Sequence, residues 1–414
     1  MRSVIDAASK NKRSGGEKEP EPRLMARNGA TPIHYFSSVH LENWRNFVRA
    51  GLDLQKRVFL VGPNASGKSN FLDVFRFLHD LVSVGGGFQE AVERRGGISS
   101  IRALAGRYPS DVVIQVEISA EDVRDAIWRY ELSFAQDKQR RPVIRHEAVY
   151  RSGAQVFAPR PDADDEKDPE RLRQTYLEQT NANQAFRDVA QFFASVEYLH
   201  IVPQLIRDTE RYVGRERDPF GGDFLEQIVA TPEKTRRARL KRIEEALRVA
   251  VPQLSGIETD RDSRGRPHVR GKYQHWRPAG AWQTEDQFSD GTLRLMGLLW
   301  ASLEGTGPLL LEEPELSLHP AVVRFLPQMF ARLQRRTKRQ IMLSTHSPDL
   351  LADPGIGSDE VFLLTPSKEG TTIAPAAAFR EVVALLDSGM SMAEAVIPKT
   401  EPQGTEQLPL FADR

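Results

Sequence analysis

The chain has 414 residues, 40% hydrophobic and 28% charged, which is enough apolar material for a substantial core and excludes wholesale disorder. Lysine plus arginine and aspartate plus glutamate number 57 each, so there is no overall electrostatic bias toward nucleic acid, although a local basic patch is not excluded. The absence of cysteine excludes disulfides and cysteine-ligated zinc or iron–sulfur clusters, and no apolar run approaches the roughly 20 residues that span a bilayer.

Residues 1–30 are rich in glycine, proline and charge. They carry no apolar segment of the secretory kind, so a flexible start on a cytoplasmic protein with no membrane partner is expected. From about Pro32 the pattern turns β-like, through IHYFSSVHLENW and then RVFLVG. SNFLDVFRFLHDLVSV follows, with Phe71, Val74, Phe75 and Leu78 at helical spacing. DVVIQVEIS, IWRYELSFA and HEAVYRSGAQVFA read as strands of an antiparallel section over 112–158, the last folded over Arg151-Ser152-Gly153 as a hairpin.

PDADDEKDPE reads as a solvated acidic linker, and a helical insertion is expected over 159–253. Its helical stretches are PERLRQTYLEQTNANQAFRDVAQFFAS and TPEKTRRARLKRIEEALRVAV. In the second, Thr231 suits the N-cap and Pro232 the first helical position, with Leu240, Ile243, Leu247 and Val251 on one face. After Gln287, helix and apolar strand alternate in GTLRLMGLLWASL, PLLLEE, AVVRFLPQMFARLQRR, QIMLSTHS and EVFLLT. Strands so uniformly apolar are buried on both faces, as in a parallel sheet covered by helices. The expected class is α/β, with one core over 31–395 interrupted by the antiparallel and helical sections, and a flexible tail over 396–414.

GPNASGKS at 62–69 fits G-x-x-x-x-G-K-[ST], the Walker A pattern. Glycines let backbone N–H groups turn inward around a phosphate, and the following helix adds the positive end of its dipole. Lys68 would reach the β- and γ-phosphates of ATP, and the Ser69 hydroxyl would ligate Mg²⁺. Gly62, Asn64, Ala65, Ser66, Gly67 and Asn70 complete the expected cradle. A chance glycine-rich turn would lack the apolar strand directly before it and the amphipathic helix directly after.

In PLLLEEPELSLHP at 308–320 an apolar strand, Leu309–Leu311, delivers Glu312 and Glu313 at its carboxyl end, the edge where ligands bind in such sheets. Glu312 is placed to hold the Mg²⁺ shell, and Glu313 to polarise the attacking water as general base. Adjacent glutamates are common on surfaces; the buried strand before them gives this pair its meaning. QIMLSTHSPDLL repeats the logic, ending in Ser344, Thr345 and His346 before Pro348. A lone histidine is usually structural, whereas one at this edge could hydrogen-bond the γ-phosphate or the water. FSDGTLRL at 288–295 is a second small polar turn that opens a helix.

The order GPNASGKS, FSDGT, LLLEEPELSLHP, STHSP resembles the ABC-type ATPase heads of the SMC/RecF/OLD-like group. Within that group it is most similar to the bacterial AAA_21 or "predicted ATPase" proteins that recur beside antiphage and toxin-like genes. The resemblance runs from about Ile33 to Phe379 and includes VHLENWRNF and VPQLIR. It implies a homodimer in which the signature turn of one subunit closes on the ATP held by the other. Ser289 and Gly291 would touch the γ-phosphate, Glu313 would be the base and His346 the switch histidine, with the stretch around Asn43 and Arg45 near the nucleotide.

The chain departs from the family pattern at Glu312, where Asp is commoner, although both are hard oxygen ligands. Asp290 replaces a signature glycine and adds negative charge near phosphate, which implies slow turnover. The glutamine that usually completes the site has no evident position, and Gln89 is the candidate for it.

The insertion carries no heptads, which argues against a cohesin-like machine, and the stretch past His346 offers no nuclease-like acidic cluster. EKTRRARLKR and RRTKR are either solvated helix faces or contacts to DNA phosphates. Two functions remain. One is an ATP-hydrolysing switch or sensor in bacterial defence, acting on a separate effector. The other is a DNA-binding repair or replication-associated ATPase of RecF type. For the second, Gln407-Leu408-Pro409-Leu410-Phe411 resembles the Q-L-x-L-F peptide that docks on the replication sliding clamp, with Leu410 and Phe411 as anchors; the alternative is a tail folded back on its own head.

Overall fold

Alternation along the buried strands divides the core of the protein into two halves. The computed structural model describes residues 34–106, 111–121, 125–208, 218–274 and 281–401. The segment 1–30 and the QLPLF peptide lie outside the described residues. The central sheet has the order β15–β14–β3–β13–β12–β8, formed by β3 (Arg57–Val61), β8 (Glu197–Leu199), β12 (Leu309–Glu312), β13 (Ile341–Thr345), β14 (Val361–Ser367) and β15 (Gly370–Pro375). All neighbours pair in parallel except β15 on β14.

Successive side chains point to opposite faces of a strand. Val58, Leu60, Leu310, Met342 and Phe362 accordingly enter one apolar cluster, which includes Phe71, Val74, Phe75 and Leu78 of helix α1 (Lys68–Val82). Phe59, Val61, Leu311, Leu343 and Val361 enter the other, with Leu293, Met296 and Trp300.

The first cluster is shared with a six-stranded antiparallel sheet of order β2–β1–β4–β5–β6–β7. Its strands are β1 (His34–Trp44), β2 (Phe47–Asp53), β4 (Val112–Ala120), β5 (Trp128–Gln136), β6 (Pro142–Arg151) and β7 (Ala154–Gln155). The expected hairpin is present: Ser152 and Gly153, at φ 48° and 81°, connect the paired Arg151 and Ala154. Two positive φ values in a two-residue turn match the twist of the flanking strands.

The region 159–253 is less helical than its sequence suggests. Only Arg187–Ala194 (α2) of the first expected stretch is α-helical; Pro169–Arg173 and Asn183–Phe186 are 3-10 turns. The backbone N–H groups of Tyr176 and Leu177 are taken by the Glu147 carboxylate, at 2.8 and 3.2 Å, rather than by a helical ladder. DADDEKD is largely exposed, as expected, but it is folded and carries one buried carboxylate. Asp162 caps a short helix, Ala163–Lys167, and the fully buried Asp165 pairs at 2.8 Å with the equally buried Arg160.

Helix α3 (Pro203–Arg207) follows β8. Helix α4 (Glu233–Ala250) begins one residue later than expected, with Pro232 as N-cap, because Thr231 closes the preceding helix Phe224–Ala230. It buries Leu240, Ile243 and Leu247, while Val251 is its C-cap and partly exposed.

Past α4 a three-stranded antiparallel sheet, β11–β10–β9, had no counterpart in the expectation. Its strands β9 (Leu254–Arg261), β10 (Pro267–Tyr273) and β11 (Ala281–Thr284) keep charged residues on the open face, which dilutes the apolar signal. Helices α5 (Asp290–Leu303) and α6 (Leu326–Thr337) complete the second half.

Two buried side chains at the start of β13 fasten the parts together. Arg339 donates to the carbonyls of Ala301 (2.8 Å), Glu304 (2.5 Å) and Gly307, closing the carboxyl end of α5, and pairs with Glu197 at 2.7 Å. The Gln340 amide accepts from the Phe36 N–H at 2.9 Å and donates to the carbonyls of Phe36 (2.8 Å) and Gln55 (2.9 Å). At the other end of the chain, the helix Met392–Val396 and the turn Ile397–Thr400 carry described structure across the boundary at 396 expected for the tail. Among the described residues no helix is long and apolar enough to cross a membrane.

Candidate nucleotide site

At the end of β3 the chain turns through residues 62–67 into α1. Ala65 and Gly67 stand at φ 61° and 98°, the left-handed conformation that bends such a loop inward. A Cβ at Gly62 would lie 2.8 Å from the Leu364 carbonyl oxygen, so no side chain fits there. Lys68 Nζ donates to the carbonyls of Gly62 (2.8 Å) and Pro63 (3.1 Å). Burial holds its amine below the ordinary lysine value, against the opposing pull of Glu313, Glu315 and Glu312. Ser66 is buried with its hydroxyl unpartnered, whereas Asn64, Ala65 and Ser69 are exposed along the loop.

Parallel pairing of β12 with β13 places the two acidic residues beside the switch strand. Glu312 ends β12, and its Oε1 accepts the hydroxyl of Ser69. Its Oε2 accepts the hydroxyl of Tyr198 on β8. Tyr198 pairs in register with Leu310, two residues before Glu312 and on the same face, which is why its long side chain reaches that carboxylate. Burial, reinforced by Glu312, pushes the Tyr198 phenol well above its usual range, and the Arg76 guanidinium lies 5.1 Å over its ring.

Glu313 adopts φ 44°, and its N–H donates to both the carbonyl and the hydroxyl oxygen of Ser344 at 3.2 Å. Its carboxylate stands 3.2 Å from His346 Nδ1. The Thr345 hydroxyl donates at 2.5 Å to Glu315, a carboxylate that burial pushes upward and whose second oxygen has no partner.

The signature turn opens α5. Ser289 is the N-cap of α5, accepting from the Thr292 N–H at 3.2 Å. A Cβ on Gly291 would come within 2.5 Å of the Ser317 carbonyl oxygen, so the turn packs on the loop after the two glutamates. No hydrogen bond or ion pair joins Ser289 or Gly291 to residues 62–70. Asp290 pairs at 2.6 Å with Arg207 of α3.

One detail of the expected site changes. Gln89 donates to the carbonyls of Pro142 (3.1 Å) and Arg173 (2.8 Å), which commits it to the antiparallel lobe; it is Tyr198 that stands beside Glu312. Asn43 is buried and donates to the Asp111 carbonyl at 2.9 Å, while Arg45 pairs with Asp73 at 3.5 Å and lines the cavity beside Ser69. The residue of that stretch that touches the phosphate loop is Asn46, which accepts from the Asn70 amide, donates to the Ala65 carbonyl and lies against Gly67. Asn46 follows no recognisable spacing; its place in the tight turn between β1 and β2 is the signal that marks it.

A cavity of about 250 Å³ opens beside Ser69, lined by Asn70, Asp73, Arg76, Arg95 and Tyr198 among others. Among the described residues no group of three His, Asp or Glu is arranged to hold a metal alone. Ser69 and Glu312 supply one hydroxyl and one carboxylate, a hard-oxygen pair that fits Mg²⁺ when phosphate and water complete its shell.

The chain matches the AAA_21 family model, described as "AAA domain, putative AbiEii toxin, Type IV TA system", over residues 57–352. No curated protein sequence matches it. Among solved structures it is similar to an SMC head bound to the C-winged helix domain of ScpA, with TM-score 0.51 and 14% identity over 82% of this chain and 97% of that one. An SMC head with an extended coiled coil, bound to the C-terminal domain of ScpA and derived from Pyrococcus furiosus, matches with TM-score 0.47 and 13% identity over 86% and 99%. The SMC head domain from Thermotoga maritima matches with TM-score 0.40 and 14% identity over 82% and 98%. With residues 62–69, Glu312, Glu313 and His346 at the ends of neighbouring parallel strands and a family match over most of its length, the chain belongs to the AAA_21 family and has the fold of an ABC-type, SMC/RecF-like ATPase head.

Proposed function

We propose that the protein binds and hydrolyses ATP between two copies of itself and uses that cycle to switch a separate effector. The observation that carries this reading is the meeting of Ser69 with Glu312, beside the Glu313–His346 pair, at the carboxyl edge of the sheet. In the proposed site residues 62–70 bind the triphosphate, and Lys68 supplies positive charge to its β- and γ-oxygens. Ser69 and Glu312 hold Mg²⁺, which when bound offsets charge developing on the transferred phosphoryl group. Glu313 takes the proton of the attacking water, and His346 orients that carboxylate.

Ser289 and Gly291 come from the second copy, consistent with the absence of any hydrogen bond from them to residues 62–70 within one chain. The family description names a toxin of a toxin–antitoxin system, which supports an effector-linked role in bacterial defence. Glu313→Gln should lower ATP hydrolysis by about 10²–10⁴-fold and leave an ATP-dependent dimer measurable by light scattering. Full turnover in that variant, or no ATP-dependent association, would refute the reading.

A second reading, an ATPase clamped on DNA, is favoured by the open face of α4. Among the described residues Lys234, Lys241 and Arg242 are exposed there without an ion pair, and the QLPLF peptide would recruit the head to a sliding clamp. Charge reversal at all three should abolish a salt-dependent DNA affinity and any DNA-stimulated turnover. If the unmodified protein shows neither, this second reading is excluded.

A further inference from the structure

We infer that Arg207 is the positioning residue of the signature turn, drawing the Asp290 carboxylate aside so that the turn can accept a phosphate held by a second copy. This rests on the reading above, in which the amino end of α5 meets such a phosphate. Asp290 is the first residue of that helix. A carboxylate there is favoured by the helix dipole and by the free N–H groups, and so competes for the same place as a phosphate. An ABC-type head with aspartate in its signature turn therefore has to dispose of that charge.

The structure shows where the charge goes. Arg207 Nη2 pairs with Asp290 Oδ1 at 2.6 Å and donates to the Phe288 carbonyl at 2.7 Å. Gln204 Nε2 donates to Asp290 Oδ2 at 3.3 Å. Both carboxylate oxygens are thus held by α3, from residues three apart on one helical face. A single guanidinium grips the residues before and after Ser289, which fixes the turn from both sides.

The grip is itself anchored. Ile206 is buried, Phe288 is buried against Gly271, and Ile201 approaches so closely that a Cβ on Gly297 of α5 would overlap it. The VPQLIR segment is therefore docked on the signature helix, and the Arg207–Asp290 pair remains partly exposed at its tip.

The test uses the full-length Glu313→Gln protein and reads the ATP concentration that half-saturates its dimerisation. Arg207→Ala should raise that concentration about tenfold or more, the loss typical of a charged hydrogen bond. Adding Asp290→Asn to Arg207→Ala should restore it, because the charge to be drawn aside is gone. Binding of a fluorescent ATP analogue to the monomer, which reports the phosphate loop and the fold, should be unchanged throughout.

A dimer indifferent to Arg207→Ala overturns the inference alone. So does a loss that Asp290→Asn does not repair, since Arg207 would then act on the phosphate directly. If Arg207→Ala does not fold, Asp290→Asn alone decides: association equal to or tighter than that of Glu313→Gln supports the inference, and a tenfold loss overturns it. A Glu313→Gln protein that never associates with ATP removes the underlying reading, and this inference falls with it.

Discussion

Glu312 has a hydroxyl at each carboxylate oxygen, and the two hydroxyls have different duties. Ser69 lies in the first turn of the helix after the phosphate loop and is the proposed ligand. Tyr198 lies on the edge strand and is placed to fix the angle at which Glu312 presents its other oxygen. Loss of such an outer partner typically costs about 10–100-fold in metal affinity or activity. Tyr198→Phe should therefore raise the Mg²⁺ concentration needed for ATP binding and turnover by about that factor, while ATP binding in EDTA is unchanged. Titration of a fluorescent ATP analogue with and without Mg²⁺ separates the two, and an unaltered Mg²⁺ requirement would refute the assignment. Ser69 was legible because its motif is contiguous. Tyr198 was not, because its partner lies 114 residues away in sequence and only the parallel register of β8 with β12 brings them together. Arg207 escaped because its partners, Phe288 and Asp290, are likewise distant in sequence.

At the scale of single elements, the antiparallel lobe holds its chain by charge as well as by apolar packing. Glu147, fully buried on β6, accepts the N–H groups of Tyr176 and Leu177 and the Tyr130 hydroxyl at 3.2 Å, and lies 3.5 Å from Arg160. Burial outweighs these partners and pushes its carboxyl up to about 7. The folded protein then keeps a proton that the unfolded chain gives up near its ordinary value of 4.5. Its contribution to stability is complete below that value and is lost as pH rises through about 7. Glu147→Gln cannot titrate, so the stability lost between pH 5 and 8 should be smaller in the variant, by on the order of 1–3 kcal/mol. Urea unfolding across that range measures it, and parallel profiles would show that Glu147 is not the group responsible. The acidic run from Asp162 to Asp168 is largely solvated, as its composition says, and only Asp165 turns inward. Composition does not reveal that one carboxylate of such a run meets a buried Arg160.

At the scale of the whole molecule, motif order carried most of the fold, since strand, phosphate loop, glutamate pair and histidine all fall on one sheet. The sheet β9–β11 was missed because its strands are half exposed and charged. Within one chain no hydrogen bond joins the signature turn to residues 62–70, and in the proposed dimer each site takes its turn from the other copy. Lys68→Ala and Ser289→Arg should each abolish turnover, and a mixture of the two should recover part of it. In a mixed dimer one phosphate loop still faces an intact turn. A mixture as inactive as its components would mean that the sites are not shared.

The start of β13 has one more consequence. Arg339 ties the carboxyl end of α5 there, Gln340 ties β1 of the antiparallel lobe there, and the strand ends beside His346. Two parts of the head thus bear on one short strand that leads to the imidazole. In the proposed switch, an effector gripping the outside of the head would act on the histidine through that strand, with no contact to the nucleotide.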